Sequence, residues 1–252
     1  MSNPFDLTGR TVLVTGGTRG IGRAISLRFA AAGATVVANF VRNDDAAARL
    51  ESDAAEAGLS MEVLRADLTT PKGLGAALER MQAAPDLVSV VHCAATGVHR
   101  PVEELTARHF DWTMALNVRA FFELIRALLR VFRENSTIVA LSSAGAVRAV
   151  PAYAAVGSSK GALEALARHM AVELAPRGVR VNILSPGSVQ TEAWDAFPDK
   201  ERRLAEAVRR TPAGRLVSPD EVAIAAQFLC SAASSGVIGH TLVIDGGARI
   251  VE

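Results

Sequence analysis

A tyrosine and a lysine at helical spacing are the side chains of this sequence best suited to chemistry. Tyr153 is the single tyrosine of the chain, and it stands seven residues before Lys160. In a helix that Pro151 is well placed to start, both side chains project from one face, about 10 Å apart along the axis. A phenol stabilises a developing oxyanion, and a nearby ammonium group favours the polarised phenol. The two residues are therefore candidates for catalysis, the alternative being a buried tyrosine and a surface lysine without a chemical role.

The first predicted strand runs straight into a glycine-rich turn. Residues 15–22 read TGGTRGIG, and an Ala-rich helical stretch follows directly. Glycine lets a backbone approach a pyrophosphate closely, and the N-terminus of the following helix stabilises the negative charge. Because a strand precedes the turn and a helix follows it, the segment predicts dinucleotide binding, the alternative being a turn that is merely tight.

Short apolar runs alternate with Ala-rich stretches along the chain. Seven runs have the length of strands, at residues 11–14, 35–38, 61–64, 87–91, 137–141, 179–184 and 241–244. Predicted helices between them include 22–32, 44–57, 121–132, 159–174 and 220–229. Continuous Val, Ile and Leu runs are typical of a parallel sheet that helices cover on both faces. No linker or repeat divides the chain, so we predict one α/β domain over residues 1–252, a doubly wound parallel sheet of about seven strands.

The composition is that of an ordinary globular protein. The 252 residues include 27 Lys and Arg against 26 Asp and Glu, and half of the residues are hydrophobic. This balance gives no reason to expect binding to nucleic acid or to an anionic membrane. Residues 1–10 contain no apolar run of signal-peptide length, so we expect a cytoplasmic protein.

The spacing of cysteines and histidines predicts neither a disulfide nor a metal site. Cys93 and Cys230 are far apart and form no CxxC pair, which suits a reducing compartment. The five histidines show no HExxH or comparable ligand spacing. We expect no bound metal.

The least regular part of the chain lies around residues 186–216. Three prolines flank a charged helical piece at 199–210, directly after the sixth predicted strand. An insertion past the carboxyl end of a strand in an open α/β sheet lies over the ligand crevice. We predict that this segment is a substrate lid.

The residues after the second predicted strand favour NADPH over NADH. An NAD enzyme of the dinucleotide-binding class usually has an acidic residue there to hold the ribose 2′-hydroxyl, but residues 39–42 read NFVR. No carboxylate repels a 2′-phosphate, and Arg19 and Arg42 are available as charge-assisted donors. The alternative for Arg42 is a solvated position at the start of a helix.

Taken with the glycine turn, Asn117, Ser142, Lys160 and the Pro186-Gly187 pair make the chain resemble the short-chain dehydrogenase/reductase superfamily from end to end. The resemblance implies a Rossmann-type fold, and it makes Asp67-Leu68 the adenine contact and residues 186–191 a nicotinamide clamp. It also implies a homotetramer, through helices 121–132 and 159–174 and the terminal segment 243–247. The cofactor contacts that we expect are Gly16, Thr18, Arg19, Gly20, Ile21, Gly22, Arg42, Asp67, Leu68, Cys93, Ala94, Lys160, Pro186, Gly187, Val189 and Thr191.

The chain departs from the superfamily pattern at two places. After the fourth predicted strand, where the superfamily has Asn-Asn-Ala-Gly, residues 92–95 read HCAA. Nothing near Cys93 indicates a lowered thiol pKa, so we expect a small buried residue close to the coenzyme. Most reductases of ketones place a tyrosine four residues before the active lysine, but here that position is Val156, which cannot transfer a proton.

The Tyr-x6-Lys spacing is similar to that of the enoyl-(acyl-carrier-protein) reductase branch of the superfamily. Residues 148–153, 111–114 and 197–198 through 211–215 resemble the NADPH-dependent bacterial form of that branch. The resemblance implies transfer of a hydride from NADPH to C3 of a 2-enoyl thioester, with Tyr153 stabilising or protonating the enolate oxygen and Lys160 binding the nicotinamide ribose. The oxygen that gains charge lies beyond C2, so the phenol must stand farther along than in a ketone reductase.

Ser142 and Asn117 complete the catalytic set that the resemblance implies. Ser142 follows the fifth strand, where ketone reducers carry a substrate-polarising serine, but it could also only cap the strand end. Ser143 stands ten residues before Tyr153, where many enoyl reductases have a further tyrosine, so the hydroxyl that assists Tyr153 is left open. Asn117 can hold a helix kink and a water relay, or bond the backbone locally.

The resemblance implies a substrate linked to acyl carrier protein or coenzyme A. Four arginines of the predicted lid helix, Arg202, Arg203, Arg209 and Arg210, could form a positive rim for an acidic carrier. Acidic residues interleave with them, so a solvated helix with internal ion pairs is nearly as good an interpretation. The alternative functions are an NADPH-dependent keto or enone reductase that tailors a natural product, and a nonenzymatic NADP-binding regulator.

Overall fold

Seven parallel strands form one sheet at the centre of the protein, in a computed structural model that describes residues 3–192, 194 and 199–251. The strands are β1 (Arg10–Thr15), β2 (Thr35–Phe40), β3 (Met61–Arg65), β4 (Leu87–His92), β5 (Thr137–Leu141), β6 (Arg180–Pro186) and β7 (Thr241–Ile244). Their order across the sheet is β3-β2-β1-β4-β5-β6-β7. The order reverses between β1 and β4, and ligands of open α/β sheets bind outside the carboxyl ends of the strands at such a point.

Helices connect the strands and cover both faces of the sheet. They are α1 (Gly20–Ala31), α2 (Asp44–Glu56), α3 (Pro71–Gln82), α4 (Ala107–Met114), α5 (Ala120–Leu128), α6 (Ala154–Leu174), α7 (Lys200–Arg209) and α8 (Pro219–Cys230). No helix in the described part of the chain is both long and apolar enough to span a membrane.

Each face of the sheet buries its own apolar layer. Leu13 of β1 packs in one layer with Phe121 and Leu124 of α5, whereas its neighbour Val12 packs in the other layer with Phe29 of α1. All of these side chains are fully buried. Successive side chains of a strand point to opposite faces, so an unbroken apolar run serves both layers. This packing confirms the predicted single α/β domain with a doubly wound parallel sheet.

The predicted strands are all present, and their ends differ from the prediction by at most two residues. Two helices, α3 and α4, were not among the predicted stretches. In α3, Thr70 caps the N-terminus by accepting a hydrogen bond from the Gly73 amide, and Gly73 and Gly75 interrupt the apolar pattern that marks a helix.

The prediction that Tyr153 and Lys160 share one helix is wrong. The helix α6 begins at Ala154, and Tyr153 precedes it in a non-helical conformation. Pro151 lies in a turn rather than in the helix, and Ala152 has a φ of +57°, the left-handed region that an alanine seldom adopts. Tyr153 is therefore aimed by a turn, and only Lys160 is carried by the helix.

A π-helical segment joins α4 to α5. Residues Ala115–Arg119 form it, and Asn117 lies at its centre with no exposed surface. Such a segment is a common cause of a kink and often marks a functional site. The predicted helix 121–132 is thus the second part of a longer, irregular helical segment.

The segment predicted as a lid, around 186–216, begins at the end of β6. Val189 pairs with Val217 in a short parallel bridge, which ties both ends of the segment together. Between them lies α7, in agreement with the charged helical piece predicted at 199–210. Phe197 and Pro198, which carry part of the family resemblance, lie outside the described residues.

Candidate active site

The glycine turn after β1 folds into a cradle that side chains would fill. Gly16 has a φ of +64°, and a Cβ there would lie 3.1 Å from the backbone of Ala94. A Cβ on Gly22 would overlap the carbonyl oxygen of Gly16. The backbone of the turn therefore carries no side chain at Gly16 and Gly22, beside the start of α1, so an anion can approach the N-terminus of this helix, which is a site that binds anions. These residues fit the pyrophosphate of a dinucleotide.

A cavity of about 460 Å³ opens in front of this turn. Thr18, Arg19 and Gly20 line it from one side, and residues 190–192 line it from the other. A Cβ on Gly20 would lie 3.7 Å from the side chain of Thr191. The structure thus brings together two predicted cofactor segments that are about 170 residues apart in sequence.

The end of β2 presents no acidic side chain. Asn39 is buried, and its amide donates to the carbonyl oxygens of Leu64 and Ala66, so it points toward β3. Arg42 is exposed just beyond the strand. Asp67, the predicted adenine contact, accepts from the Thr69 amide and hydroxyl, at 3.0 and 2.6 Å, and shapes the turn after β3.

The Lys160 ammonium lies almost entirely inside the protein. Its Nζ donates a 2.7 Å hydrogen bond to the carbonyl oxygen of Leu141, at the end of β5. Burial lowers the pKa of Lys160 to about 8 from its usual value of 10.5. The group is still mostly protonated at neutral pH, and it loses its charge in mildly alkaline solution.

The two serines after β5 have different surroundings. Ser142 is buried, and its hydroxyl donates to Oε1 of Glu164 at 2.5 Å. Ser143, the next residue, has its Oγ 3.4 Å from the phenolic oxygen of Tyr153. Successive residues in extended conformation point in opposite directions, so only one of the two faces the tyrosine. The predicted catalytic residue Ser142 ties β5 to α6 instead, and Ser143 lies at the site.

The Tyr153 ring packs against the backbone of two glycines and against a histidine ring. A Cβ on Gly145 would lie 2.5 Å from the Tyr153 ring, and one on Gly157 would lie 3.4 Å from it. The ring of His99 lies 5.2 Å away, centroid to centroid, at a tilt of 49°. Contact of this kind restricts where the phenol can point. The Tyr153 ring is therefore positioned by packing as well as by the turn before it.

Substituting Gly145 by alanine tests this positioning. The added methyl group has no room, so we expect the Tyr153 ring to move and the catalytic rate constant to fall by roughly tenfold or more, because small misplacements are costly in catalysis. Gly75→Ala in α3 is the matched control, because its methyl group would meet nothing within 4 Å. Steady-state kinetics and thermal melting of both variants measure the effect. Equal activities would show that the cradle is not needed.

The side chain of Asn117 is fully engaged with neighbouring segments. Its amide donates to the Thr96 carbonyl oxygen and to Ser159 Oγ, both at 2.9 Å. Its oxygen accepts from the Thr96 amide at 2.8 Å. Both N–H donors of the amide are thus used within the protein. Asn117 joins the loop after β4 to the helix of Lys160. Its side chain has no N–H group left to donate to a water molecule, which the predicted role in a water relay would use.

The departure at residues 92 and 93 produces two uncharged groups, of which His92 is buried and Cys93, predicted to be buried, is only partly so. His92 Nδ1 lies 3.0 Å from Thr15 Oγ1, and its Nε2 has no hydrogen-bond partner within the described residues. Burial, reinforced by the charge of Lys160, lowers the pKa of His92 to about 3. Burial raises the pKa of the Cys93 thiol to about 12. Cys93 stays a thiol at neutral pH, which agrees with the prediction of an unreactive residue.

The arginines of α7 pair with carboxylates of their own helix. Arg202 and Arg203 bind Asp199, and Arg210 binds Glu206. Arg203 also lies close enough to His99 to help lower the pKa of that histidine, after burial. The solvated-helix interpretation describes these three arginines better than a positive rim does.

One predicted catalytic residue, Tyr153, lines a cleft of about 210 Å³ together with predicted cofactor residues, whereas Lys160, Ser142 and Asn117 are not among its lining residues. Ser143, Tyr153, Pro186 and Gly187 are among its lining residues. Sequence reasoning missed Glu164 and Gly145, since a glutamate within a helix and a glycine within a short 3₁₀ helix carry no signal of their own. No group of His, Cys, Asp or Glu in the described ranges is arranged to hold a metal ion.

Comparison with known proteins gives one family. Residues 16–249 match the family model described as enoyl-(acyl carrier protein) reductase. The chain is 35% identical, over 242 residues, to 1-cyclohexenylcarbonyl-CoA reductase of Streptomyces collinus, covering 95% of this chain and 86% of the relative.

Two solved structures are similar over nearly their whole length. A dehydrogenase/reductase from Sinorhizobium meliloti 1021 has a TM-score of 0.91 and 34% identity, with 98% of this chain and 97% of that chain covered. A gluconate 5-dehydrogenase from Burkholderia cenocepacia J2315, in complex with NADP and tartrate, has a TM-score of 0.89 and 30% identity, with 99% and 98% covered. The chain therefore belongs to the short-chain dehydrogenase/reductase superfamily, and it is a reductase or dehydrogenase that works with a nicotinamide dinucleotide.

Proposed function

We propose that the protein is an NADPH-dependent reductase of 2-enoyl thioesters, of the enoyl-(acyl-carrier-protein) reductase type. The observation that carries the proposal is the position of the tyrosine, which lies before α6 with its hydroxyl beside Ser143. The position four residues before Lys160 is Val156, which is buried, and a Cβ on Gly97 would overlap its side chain. The relative from Streptomyces collinus supports the same class, because its name describes a CoA ester with a double bond next to the carbonyl carbon.

The chemistry of the substrate agrees with this position. NADPH, when bound, supplies a hydride to C3 of the substrate. Negative charge then develops on the thioester oxygen, beyond C2, where the phenol of Tyr153 stabilises the enolate and donates a proton to this oxygen. The enol then gains a proton from solvent at C2 and returns its O–H proton to Tyr153, which gives the saturated thioester. Ser143, rather than Ser142, is the hydroxyl that orients this phenol.

Lys160 and Asn117 support the site from α6 and from the π-helical segment. One N–H of the Lys160 ammonium is bound to Leu141, which leaves two donors for the hydroxyls of a nicotinamide ribose. Its charge favours the polarised form of the phenol. Asn117 keeps the loop after β4 against α6, so it is a positioning residue.

The segment around 186–216 acts as the lid in this proposal. Pro186 and Gly187 line the cleft at its beginning. The charge of Arg203 in α7 acts on His99, which in turn contacts the Tyr153 ring. The helix α7 is thus close to the reactive tyrosine, as a lid must be to exclude water.

A comparison of two thioesters tests the function. NADPH oxidation by the purified protein is measured with 2-butenoyl-CoA and with acetoacetyl-CoA, which have equal chain lengths. We expect turnover of the enoyl substrate and at most slow turnover of the keto substrate. Turnover of the keto substrate alone would support the alternative of a keto reductase, and no turnover of either would contradict a thioester reductase.

The keto reductase alternative has one observation in its favour. Ser143 and Tyr153 form a serine–tyrosine pair, and one similar structure is a gluconate 5-dehydrogenase, which acts on an alcohol or ketone. Fold alone does not separate the two functions. The acetoacetyl-CoA measurement decides between them.

Substituting Arg42 by alanine tests the preference for NADPH. The guanidinium is exposed beyond β2, where the 2′-phosphate of NADPH would lie, and a charge-assisted hydrogen bond to phosphate would be lost. We expect KM for NADPH to rise about tenfold while KM for NADH stays within twofold. Arg80→Ala in α3, whose partner is Glu62, is the control. Equal changes for both coenzymes would contradict the assignment.

A further inference from the structure

Two cavities share the wall that contains the reactive tyrosine. The smaller is the cleft of about 210 Å³ that reaches Pro186 and Gly187. The larger, of about 390 Å³, lies between the loop after β4 and the start of α6. The residues common to both are Gly145, Arg148, Val150 and Tyr153. A ligand that reacts at Tyr153 therefore has a second compartment on the other side of the phenol.

The order of atoms in a 2-enoyl thioester decides which end of the substrate lies in which cavity. This step rests on the proposed function. C3, C2, the carbonyl group, the sulfur and the carrier arm follow one another. With C3 on the side of Pro186 and the oxygen at Tyr153, the sulfur and the arm continue into the larger cavity. Its volume lies within the usual range of ligand pockets, about 300–1,000 Å³, whereas that of the cleft does not.

Two arginines give the larger cavity a positive charge. Arg100 and Arg148 line it, and no carboxylate is among the described residues of its wall. Arg148 donates to the carbonyl oxygens of Ala248, at 3.2 Å, and Arg249. These bonds hold the guanidinium in place without neutralising it, because a carbonyl group carries no net charge.

Arg100 has a weak ion-pair partner. Its guanidinium lies 3.8 Å from the carboxylate of Glu104, and both side chains are more than half exposed. Solvent screens such a pair strongly, so Arg100 can exchange this partner for a stronger one. On α7, by contrast, Arg202, Arg203 and Arg210 are bound to carboxylates of their own helix. Arg100 and Arg148 are therefore both available to an anionic group at the larger cavity.

We propose that Arg148 and Arg100 form the subsite that binds a phosphate group of the pantetheine-bearing carrier. A guanidinium fork matches the geometry of a phosphate and binds it through two parallel hydrogen bonds. Phosphate is the one anionic group that the arm of coenzyme A shares with that of acyl carrier protein. The subsite recognises the carrier and leaves the acyl group to the cleft.

Thioesters with and without phosphate test the subsite. KM is measured with NADPH for the 2-butenoyl thioesters of 4′-phosphopantetheine and of pantetheine, which differ only in the phosphate group. We expect the wild-type protein to have a KM about tenfold or more higher for the pantetheine thioester, and Arg148→Gln and Arg100→Gln to bring this ratio close to one. Arg80→Gln, in the distant helix α3, should keep the wild-type ratio. An unchanged ratio in Arg148→Gln and Arg100→Gln would overturn the proposal.

A binding measurement separates this inference from the proposed function. Calorimetric titration with butyryl-CoA in the presence of NADP⁺ needs no turnover, and we expect about tenfold weaker binding to Arg148→Gln than to wild type. Such weakening in a protein that reduces no enoyl thioester would support the subsite and reject the function. Equal binding by both proteins would reject the subsite. The 2-butenoyl thioester of acyl carrier protein shows which source of phosphate is used: a raised KM in Arg148→Gln assigns the subsite to both carriers, and an unchanged KM restricts it to coenzyme A.

Discussion

Replacing Tyr153 by phenylalanine should lower kcat/KM for a 2-enoyl thioester by about 10³-fold, within the 10²- to 10⁴-fold range of a lost proton donor. The variant keeps the aromatic ring between Gly145, Gly157 and His99, so only the hydroxyl group is removed. Nothing else in the cleft takes its place at the enolate oxygen in the proposed mechanism. Steady-state NADPH oxidation with 2-butenoyl-CoA measures the loss, and the thermal midpoint should change by less than about 2 °C.

A second variant shows whether the position of the phenol matters. In Tyr153→Phe combined with Val156→Tyr, the hydroxyl returns at the position four residues before Lys160. We expect no recovery of enoyl reduction, because the side chain at 156 packs against Gly97 and its hydroxyl would not lie beside Ser143. A kcat/KM of Tyr153→Phe within threefold of the wild-type value would show that the phenol is dispensable and would contradict the mechanism.

Replacing Lys160 by methionine should lower kcat/KM by about 10²-fold and change its pH dependence. The charged ammonium is the form that supports the phenol, and burial holds its pKa near 8. For the wild type we therefore expect kcat/KM to be level below pH 7 and to fall about tenfold per pH unit well above pH 8. Lys160→Met should lack this decline. Rate profiles from pH 6 to 10 measure both effects.

The same pKa predicts the direction of a stability change. Between about pH 8 and 10.5, Lys160 binds a proton in the unfolded chain but not in the folded one. The free energy of unfolding therefore rises with pH across this window, since stability increases where the unfolded state binds more protons. Subtracting the urea-unfolding profile of Lys160→Met from that of the wild type isolates this contribution. A difference that stays constant with pH would show that the folded-state pKa is not lowered.

Hydrophobic periodicity was enough to predict the fold. The strands β1, β5 and β6 are buried along nearly their whole length, and each is a largely apolar run of distinct length. The glycine turn was equally readable, because its glycines are dictated by backbone geometry next to a helix N-terminus. The elements that were missed, α3 and α4, are short helices, and α3 contains two interior glycines that weaken its pattern.

The sequence predicted which residues form the catalytic site better than it predicted how they are oriented. Tyr153 and Lys160 were identified by type and spacing, but the left-handed conformation of Ala152, directly before Tyr153, keeps α6 from starting at Pro151, and that conformation depends on tertiary packing. The choice between Ser142 and Ser143 depended on which of two adjacent residues faces the core. If the extended segment is shifted by one residue, Ser142 and Ser143 exchange their directions. Sequence patterns do not define the ends of elements to within one residue.

Sequence also gave no warning of the buried Glu164. A carboxylate in a helix is usually solvated, and this one is buried because Ser142 donates to it and Arg168 lies 3.7 Å from it. The interaction is visible only when β5 and α6 are placed side by side. A hydrogen bond between two elements, such as the one from Ser142 to Glu164, is the part of the site that a single sequence does not contain.

The two cysteines make the natural chain a ready background for site-specific labelling. Cys230 is fully buried and Cys93 is partly buried, and burial raises the pKa of both thiols, so we expect both to react slowly with maleimides or iodoacetamides at neutral pH. A cysteine introduced at an exposed position of α7, such as Glu201, would be the one reactive thiol among the described residues. A fluorophore attached there would test whether the proposed lid helix α7 moves relative to the cleft when ligands bind.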